Sequence, residues 1–308
     1  MARRVEELAL GNWDMMNMNT LSMTSAVIGL SIVASGWSAI KDAPRAWAST
    51  ELIGMKVVSE QGDNLGKIED IVVRPSGDSS YAVLSFGGTL GMGDKLFAMP
   101  WSVLRTVEPD TAKKDSTRSL VLPLVKERLK TAPGFDKNTW PNMANKDWTK
   151  DIDAFYEGDF NPNTKRPVDA ALRMPSITWR VSEIKGTNVN TPSGTKLGDL
   201  QELVIDTDGR VAYATISVGG FLGMGEKHVP VPWDMLKLSV GGDKGDTKMI
   251  SLATTKEQLE KAPEFKTGKE HCAEMCDPKW IGRVYEHFSV PAYWNNSATP
   301  IPKIGSKN

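Results

Sequence analysis

Short stretches rich in apolar and β-branched residues, each followed by turn residues, dominate the middle of the chain. Stretches 68–73 and 200–205 are of this kind, and a glycine-containing turn follows each of them. The next two stretches, 81–86 and 213–218, alternate in polarity, and one set of positions is apolar in both. That set consists of Ala82, Leu84, Phe86, Ala214, Ile216 and Val218. Because successive side chains of a strand point to opposite faces, we predict strands whose apolar set faces a core.

The pattern occurs twice along the chain. The sequence GGTLGMGDK at residues 87–95 returns as GGFLGMGEK at residues 219–227, and the Pro-Trp pair that ends at Trp101 returns at Trp233. The spacing is the same for both features, since 219 − 87 = 132 and 233 − 101 = 132. Solenoid repeats are only about 20–50 residues long. The chain is therefore expected to contain two copies of one domain.

Each copy is predicted to form several short strands followed by a helical tail. After the glycine-rich run come an apolar strand, the Pro-Trp pair and a last strand, at 119–122 in the first copy and 249–252 in the second. Short strands separated by turns predict a small barrel. Stretches 126–129 and 256–259 predict short helices that stop before an Ala-Pro pair, because the residue before proline disfavours helix. The expected fold class is mainly β, with two tandem small barrels and helical, aromatic-rich tails.

Length and charge agree with this division. The chain has 308 residues and a formal net charge of −1, which leaves room for two domains and argues against a strongly basic nucleic-acid surface. We expect five segments. They are a signal peptide or N-terminal membrane anchor at 1–50, the first barrel at 51–125, a helical tail and linker at 126–175, the second barrel at 176–255, and a helical tail and flexible C-terminus at 256–308.

The N-terminal segment differs in composition from the rest. Residues 21–40, from Leu21 to Ile40, contain no charged side chain. A secretory signal peptide is one interpretation, with small-x-small cleavage patterns at residues 34–36 and 46–48. A single transmembrane anchor is the second, since about 20 apolar residues span a bilayer. A buried or amphipathic segment of a cytosolic protein is the third. We expect a periplasmic or exported protein, with a membrane-anchored protein as the alternative.

The two copies resemble the PRC-barrel family, which is named for the H subunit of the photosynthetic reaction centre. The resemblance rests on Leu-Ile-Gly at 52–54, on the glycine and leucine positions within 62–70, and on the glycine-rich run that precedes Pro-Trp. It implies small SH3-like β-barrels. Members of this family include the H subunit, a ribosome-maturation factor and stand-alone bacterial proteins. Their common role is to bind other proteins, and the resemblance carries over no catalytic residues.

Partner binding is therefore the expected function. The favoured hypothesis is a non-enzymatic scaffold of the bacterial envelope whose partners are proteins, a membrane complex among them. The alternatives are a membrane-anchored subunit of a photosynthetic or electron-transfer complex and an RNA- or ribosome-associated factor. No nucleic acid is expected, because the net charge is close to zero. No cofactor or small-molecule substrate is expected either, because the three histidines are isolated and no arrangement supports nucleophilic catalysis.

The glycine-rich runs are interpreted as tight connections within the barrels. A phosphate-binding loop leads from a strand into a helix, whereas here a strand and Pro-Trp follow, so glycine is expected to supply the positive φ of a turn. Lys95 and Lys227 end the two runs. They are candidates for contact with an anionic partner, and the alternative is that both are solvated loop lysines.

Tryptophans are the candidate contact residues of the tails. Trp140, Trp148 and Trp280 would form a docking surface if they were exposed, and would otherwise pack each tail onto a barrel. Trp101 and Trp233, which lie outside the tails, are expected to pack under the barrel ends.

Both cysteines lie in the second tail. Cys272 and Cys276 are close in sequence to His271, and the three residues are a weak candidate for a metal site. A disulfide between Cys272 and Cys276 is the alternative in an exported protein, and two thiols are the third interpretation.

Overall fold

The structure is a computed structural model that describes residues 43–86, 95–107, 118–143, 145–157, 178–219, 227–241, 247–264 and 272–295. The apolar segment 21–40, the loops 87–94 and 220–226, and His271 lie outside the described residues. The predictions for those segments are therefore not tested by the fold.

Two sets of short strands follow one another along the chain. The strands of the first half are β1 (Ala46–Ala48), β2 (Lys56–Val58), β3 (Asn64–Val73), β4 (Ser79–Phe86), β5 (Lys95–Pro100), β6 (Arg105–Val107), β7 (Ser119–Val121) and β8 (Gly134–Asp136). Those of the second half are β9 (Trp179–Arg180), β10 (Asn188–Asn190), β11 (Lys196–Asp206), β12 (Val211–Val218), β13 (Lys227–Pro232), β14 (Leu236–Gly241) and β15 (Thr247–Leu252).

The two sheets share one topology and one register. The order is β6-β7-β2-β3-β4-β5 in the first sheet, where β8 follows β5 at the edge, and β14-β15-β10-β11-β12-β13 in the second. Apart from β8, the strands of these two orders correspond one to one. In both sheets the pair that closes the barrel, β2 with β7 and β10 with β15, is parallel. Ile71 lies opposite Ala82 in the first sheet, and Leu203 lies opposite Ala214 in the second. The equal registers confirm two tandem copies of one small β-barrel.

Short helices surround the barrels. They are α1 (Ser49–Leu52), α2 (Lys126–Leu129), α3 (Lys146–Glu157), α4 (Val181–Ile184), α5 (Lys256–Glu260), α6 (Cys272–Met275) and α7 (Pro278–His287). The start of α7 is fixed by its sequence, because the Asp277 carboxylate accepts the N–H groups of Lys279 and Trp280 and proline occupies the first turn. The tails thus contain the predicted helices.

Both faces of the central strands are buried. The apolar set predicted to face the core does so, with Phe86 half-buried and the other five side chains inaccessible. The opposite face is buried as well: Tyr81 is 3 % exposed and Ser217 is 3 % exposed. The alternation pattern predicted only one buried face. The second is buried because the tails pack on it, as the Tyr81–Trp148 contact in the first half shows.

The N-terminal arm of each half lies in the sheet of the other half. We call β1 with α1 arm 1 (residues 46–52) and β9 with α4 arm 2 (residues 179–184). β1 of arm 1 pairs antiparallel with β11 of the second barrel, and β9 of arm 2 pairs antiparallel with β3 of the first barrel. Trp47 and Trp179 are each 2 % exposed in these positions. The halves are therefore joined by a reciprocal exchange of arms.

Arm 1 begins before the boundary expected from the sequence. The pattern placed the first barrel at 51–125, with residues 1–50 as a leader or anchor, whereas residues 46–50 belong to the sheet and to α1. Among the described residues, every helix is too short or too polar to span a bilayer.

Candidate functional site

The junction between the barrels is built from two equivalent contacts between a carboxylate and an arm. Asp70 on β3 accepts the backbone N–H of Ser182 at 3.2 Å and also the Ser182 hydroxyl. Glu202 on β11 accepts the Thr50 hydroxyl at 2.7 Å and the Thr50 N–H at 3.3 Å. Burial raises the pKa of Asp70, and the hydrogen bonds from Ser182 oppose that rise. Each barrel thus caps the first turn of the helix on the other half's arm.

Trp101 and Trp233 also cross the junction. The Trp101 indole donates to the carbonyl of Thr207 at 3.3 Å, and the Trp233 indole donates to the carbonyl of Pro75 at 3.1 Å. We expected these rings under the barrel ends. Each lies instead against a β-turn of the opposite barrel, because the exchanged arms bring the turns 74–78 and 206–210 together.

In the first tail, the candidate tryptophans pack on their own barrel. The Trp148 ring meets the Tyr81 ring edge-on at 5.6 Å, and the Trp140 ring lies 5.1 Å from the ring of Phe135. The Arg180 guanidinium of arm 2 stacks on Trp140 at 4.2 Å. Both tryptophans are half-buried, so each has part of its surface in solvent. Their role in partner binding stays a prediction.

In the second tail, Trp280 belongs to the core. Its side chain is only 6 % exposed, in a cluster that also contains Tyr213 and Tyr285. The Tyr213 hydroxyl donates to the carbonyl of Met275 at 2.6 Å, which fixes α6 on β12. Trp280 therefore stabilises the packed tail and has almost no surface to offer a partner, contrary to its candidacy as a docking residue.

The two candidate lysines differ in their surroundings. The Lys227 amine donates to the carbonyls of Glu260 and, at 2.8 Å, Ala262. It therefore satisfies carbonyls at the C-terminal end of α5, which a helix leaves without partners. Lys95 is exposed and lies between Phe86 and Asp136 in its sheet. Lys95 thus remains available to an anionic partner, whereas Lys227 has a structural role.

The cysteine segment lies against arm 1. The Cys276 sulfur lies 4.0 Å from a carboxylate oxygen of Glu51, and the side chain is half-buried. The backbone of Cys272 begins α6, but its side chain is not among those described. No group of three His, Cys, Asp or Glu side chains is arranged for a metal ion in the part of the chain that the structure describes. The metal site and the disulfide therefore stay predictions.

A buried carboxylate that the sequence did not point to organises the turn 206–210. Asp206 is 1 % exposed and accepts the Tyr293 hydroxyl at 2.7 Å and the N–H groups of Asp208 and Arg210, each at 2.8 Å. Burial raises its pKa to about 6. The only signal in the sequence was that the two copies differ at this position. The residue equivalent to Asp206 in the first copy is Arg74, since 206 − 132 = 74.

An open cleft lies beside this carboxylate. Its volume is about 340 Å³, and it is lined by Arg210, Asp234, Val290, Pro291 and Tyr293. The Arg210 guanidinium pairs with Asp234 at 3.3 Å and stacks on the Tyr293 ring at 4.5 Å. The charged groups of the cleft are thus paired with one another, an arrangement that joins the second tail to its barrel.

Comparison with known families agrees with the repeat. The family model for the PRC-barrel domain matches residues 46–121 and 178–259, about half of the chain in two segments. Each matched segment includes an arm together with the barrel that follows it in sequence. Among curated proteins, none matches this chain.

Proposed function

Because the chain belongs to the PRC-barrel domain family, we propose that it is a non-enzymatic scaffold of the bacterial envelope that binds other proteins on its paired barrels. The observation that carries the proposal is the reciprocal exchange of arms. It holds two binding domains in one compact unit.

A fixed pair of domains suits a binding scaffold for a physical reason. Ordering flexible parts upon association lowers affinity, so a platform that is already ordered retains more of its contact energy. The arms and the crossed tryptophans order the junction before any partner arrives. The tails extend this rigid surface, because their aromatic side chains pack onto the barrels.

Capture of partners tests this proposal. The full-length chain with a C-terminal tag is expressed in the bacterium that encodes it, crosslinked in intact cells and purified, with an unrelated tagged envelope protein as background. We expect the same few proteins to be enriched in repeated experiments. A variant that disturbs the junction, Gly209→Ala, should retain its β-sheet circular dichroism and lose part of the enrichment. Enrichment no higher than background would contradict the proposal.

Export of the protein is the second part of the proposal. Cleavage after residue 48 would remove β1 from the second sheet, together with the buried Trp47. We therefore expect a leader to be cleaved before residue 43, for which the pattern at 34–36 is suitable. Mass spectrometry of the mature N-terminus tests this, and a mature chain that begins at residue 49 would contradict it.

A membrane-anchored subunit resembling the reaction centre H subunit is the second candidate function. It is favoured by the uncharged run 21–40. The same mass spectrometry separates the two, because an uncleaved chain found in the membrane fraction supports the anchor. The net charge of −1 gives no support to an RNA- or ribosome-associated factor.

A further inference from the structure

Arg74 is the buried arginine of the described residues. It comes directly after β3 in the sequence, and it is 8 % exposed. Its Nε and Nη1 atoms are both buried and have no hydrogen-bond partner. A buried charge without partners is unfavourable by several kcal/mol, so buried arginines are normally paired. The buried N–H groups of Arg74 therefore indicate that this side chain binds an acceptor from another molecule.

Four more exposed arginines of the described residues have carboxylate partners. The pairs are Arg105 with Glu60, Arg118 with Glu51, Arg180 with Glu183 and Arg210 with Asp234. Solvent would stabilise these side chains without a partner. The arginine that most needs an acceptor is thus the one whose buried N–H groups have none.

The second half shows what a completed site looks like at the equivalent position. Asp206 replaces Arg74 there and receives three hydrogen bonds, from Tyr293, Asp208 and Arg210. The buried group of the second half is therefore matched by donors. The buried group of the first half is a donor, and its complement would be an acceptor with negative charge.

The neighbouring carboxylates of the first half bond to other groups. Asp153 of α3 accepts the Tyr81 hydroxyl at 3.3 Å, and Asp78 accepts the Ser76 hydroxyl at 2.8 Å. Asp153 and Arg74 have opposite effects on the pKa of Tyr81, which burial raises first of all. Neither carboxylate bonds to the buried Nε and Nη1 atoms of Arg74.

We propose that Arg74 anchors a carboxylate-binding site, whose ligand is an Asp, Glu or C-terminal carboxylate of a partner protein. The proposal rests on the proposed binding function and names the chemistry of the partner. Arg74 opens the turn 74–78, in which Ser76 is exposed. Arginine fits this role because its planar donor group matches a carboxylate.

Thermal unfolding of the full-length chain at pH 7.5 tests the site with acetate as the probe. Sodium acetate is compared with sodium chloride at equal ionic strength. We expect acetate to raise the unfolding midpoint of the wild type by about 2–4 °C. Arg74→Met should show no such rise. It should also be at least as stable as the wild type in chloride, because an apolar side chain of similar length replaces an unpaired charge.

Two control variants, together with phosphate as a second anion, show whether the response to acetate depends on Arg74. Arg105→Met removes an exposed arginine and should respond to acetate like the wild type, and Arg74→Lys should keep part of the response. An equal response of Arg74→Met, no response of the wild type, or a large loss of stability of Arg74→Met in chloride would each overturn the proposal. A response to phosphate but not to acetate would also overturn it. These results are independent of the crosslinking experiment, so either idea can fail alone.

Discussion

Gly77 and Gly209 show at the scale of single residues how each barrel constrains the sequence of the other. Both have positive φ, +88° and +81°, and both lie against a tryptophan of the opposite barrel. A Cβ atom on Gly209 would lie 2.2 Å from Trp101, and one on Gly77 would lie 2.6 Å from Trp233. Glycine is required here for conformation and for space.

Gly209→Ala is predicted to destabilise the protein more than a glycine substitution without a neighbour. The positive φ accounts for about 1–2 kcal/mol and the clash with Trp101 for about 1–3 kcal/mol more. Gly194→Ala is the matched control, since Gly194 has φ +91° and no neighbour within 4 Å. Denaturant unfolding measures both variants. Equal losses of stability would show that Trp101 does not fill this position.

Asp206 is predicted to make stability depend on pH. Its folded pKa, about 6, lies above the unfolded value of 3.8. The folded state therefore binds the proton more tightly, and this contribution is complete below pH 3.8 and lost as the pH rises through 6. The change is roughly 3 kcal/mol, since one pKa unit corresponds to about 1.4 kcal/mol.

Asp206→Asn should remove this dependence. Asparagine keeps an acceptor for the two N–H groups but does not ionise. The free energy of unfolding of both proteins is measured between pH 4 and pH 7.5. We expect the difference between the two proteins to change with pH, and a constant difference would contradict a buried titrating carboxylate.

At the scale of elements, the arms decide how the two halves are joined. Arm 1 and arm 2 are short, and each is capped by a carboxylate of the other barrel. The two capping carboxylates differ in burial. Asp70 is 2 % exposed, whereas Glu202 is half-buried and also pairs with Lys185 at 3.7 Å. Loss of a hydrogen bond matters more for a buried acceptor than for one that water can reach.

Ser182→Ala is therefore predicted to destabilise the protein by about 1–3 kcal/mol, and Thr50→Ala by less. The serine change leaves Asp70 with fewer donors in a buried position. The threonine change leaves Glu202 with the Ser49 hydroxyl, the backbone N–H groups of Thr50 and Leu203, and Lys185. Denaturant unfolding of the two single variants compares them. A larger loss for Thr50→Ala would show that the caps do not differ in this way.

The sequence predicted most elements and missed their exchange. Strands, turns and short tail helices follow from local alternation, glycine and proline, and the family match confirms the barrels. Trp47 and Trp179 gave no sign of the barrel that they would join. Strand pairing depends on backbone groups that are distant along the chain. The two or three residues of an arm strand therefore show the same local pattern whether the strand joins its own barrel or the opposite one.

At the scale of the whole molecule, the two barrels are predicted to unfold as one unit. Leu84→Ala, in the core of the first barrel, should destabilise by about 2–5 kcal/mol because the buried side chain leaves a cavity. Amides of β12 in the second barrel should then exchange faster with solvent, because the arms link both sheets. Hydrogen exchange read by mass spectrometry measures this.

A surface substitution serves as the control for that experiment. Val125→Ala changes a side chain that is 46 % exposed and should leave the exchange of β12 unchanged. Unchanged β12 protection in Leu84→Ala would mean that the barrels open independently and that the arms do not couple them.

The sequence by itself determined the duplication, the barrel fold of each copy and the core-facing apolar set of the central strands, because these depend on residue types at short and regular spacing. Only the tertiary structure decided which barrel each arm joins, where Trp101 and Trp233 lie, and which polar groups are buried. Arg74 and Asp206 are both turn residues in the sequence. Both are buried only in the folded chain, where Asp206 accepts a hydrogen bond from Tyr293 of the second tail.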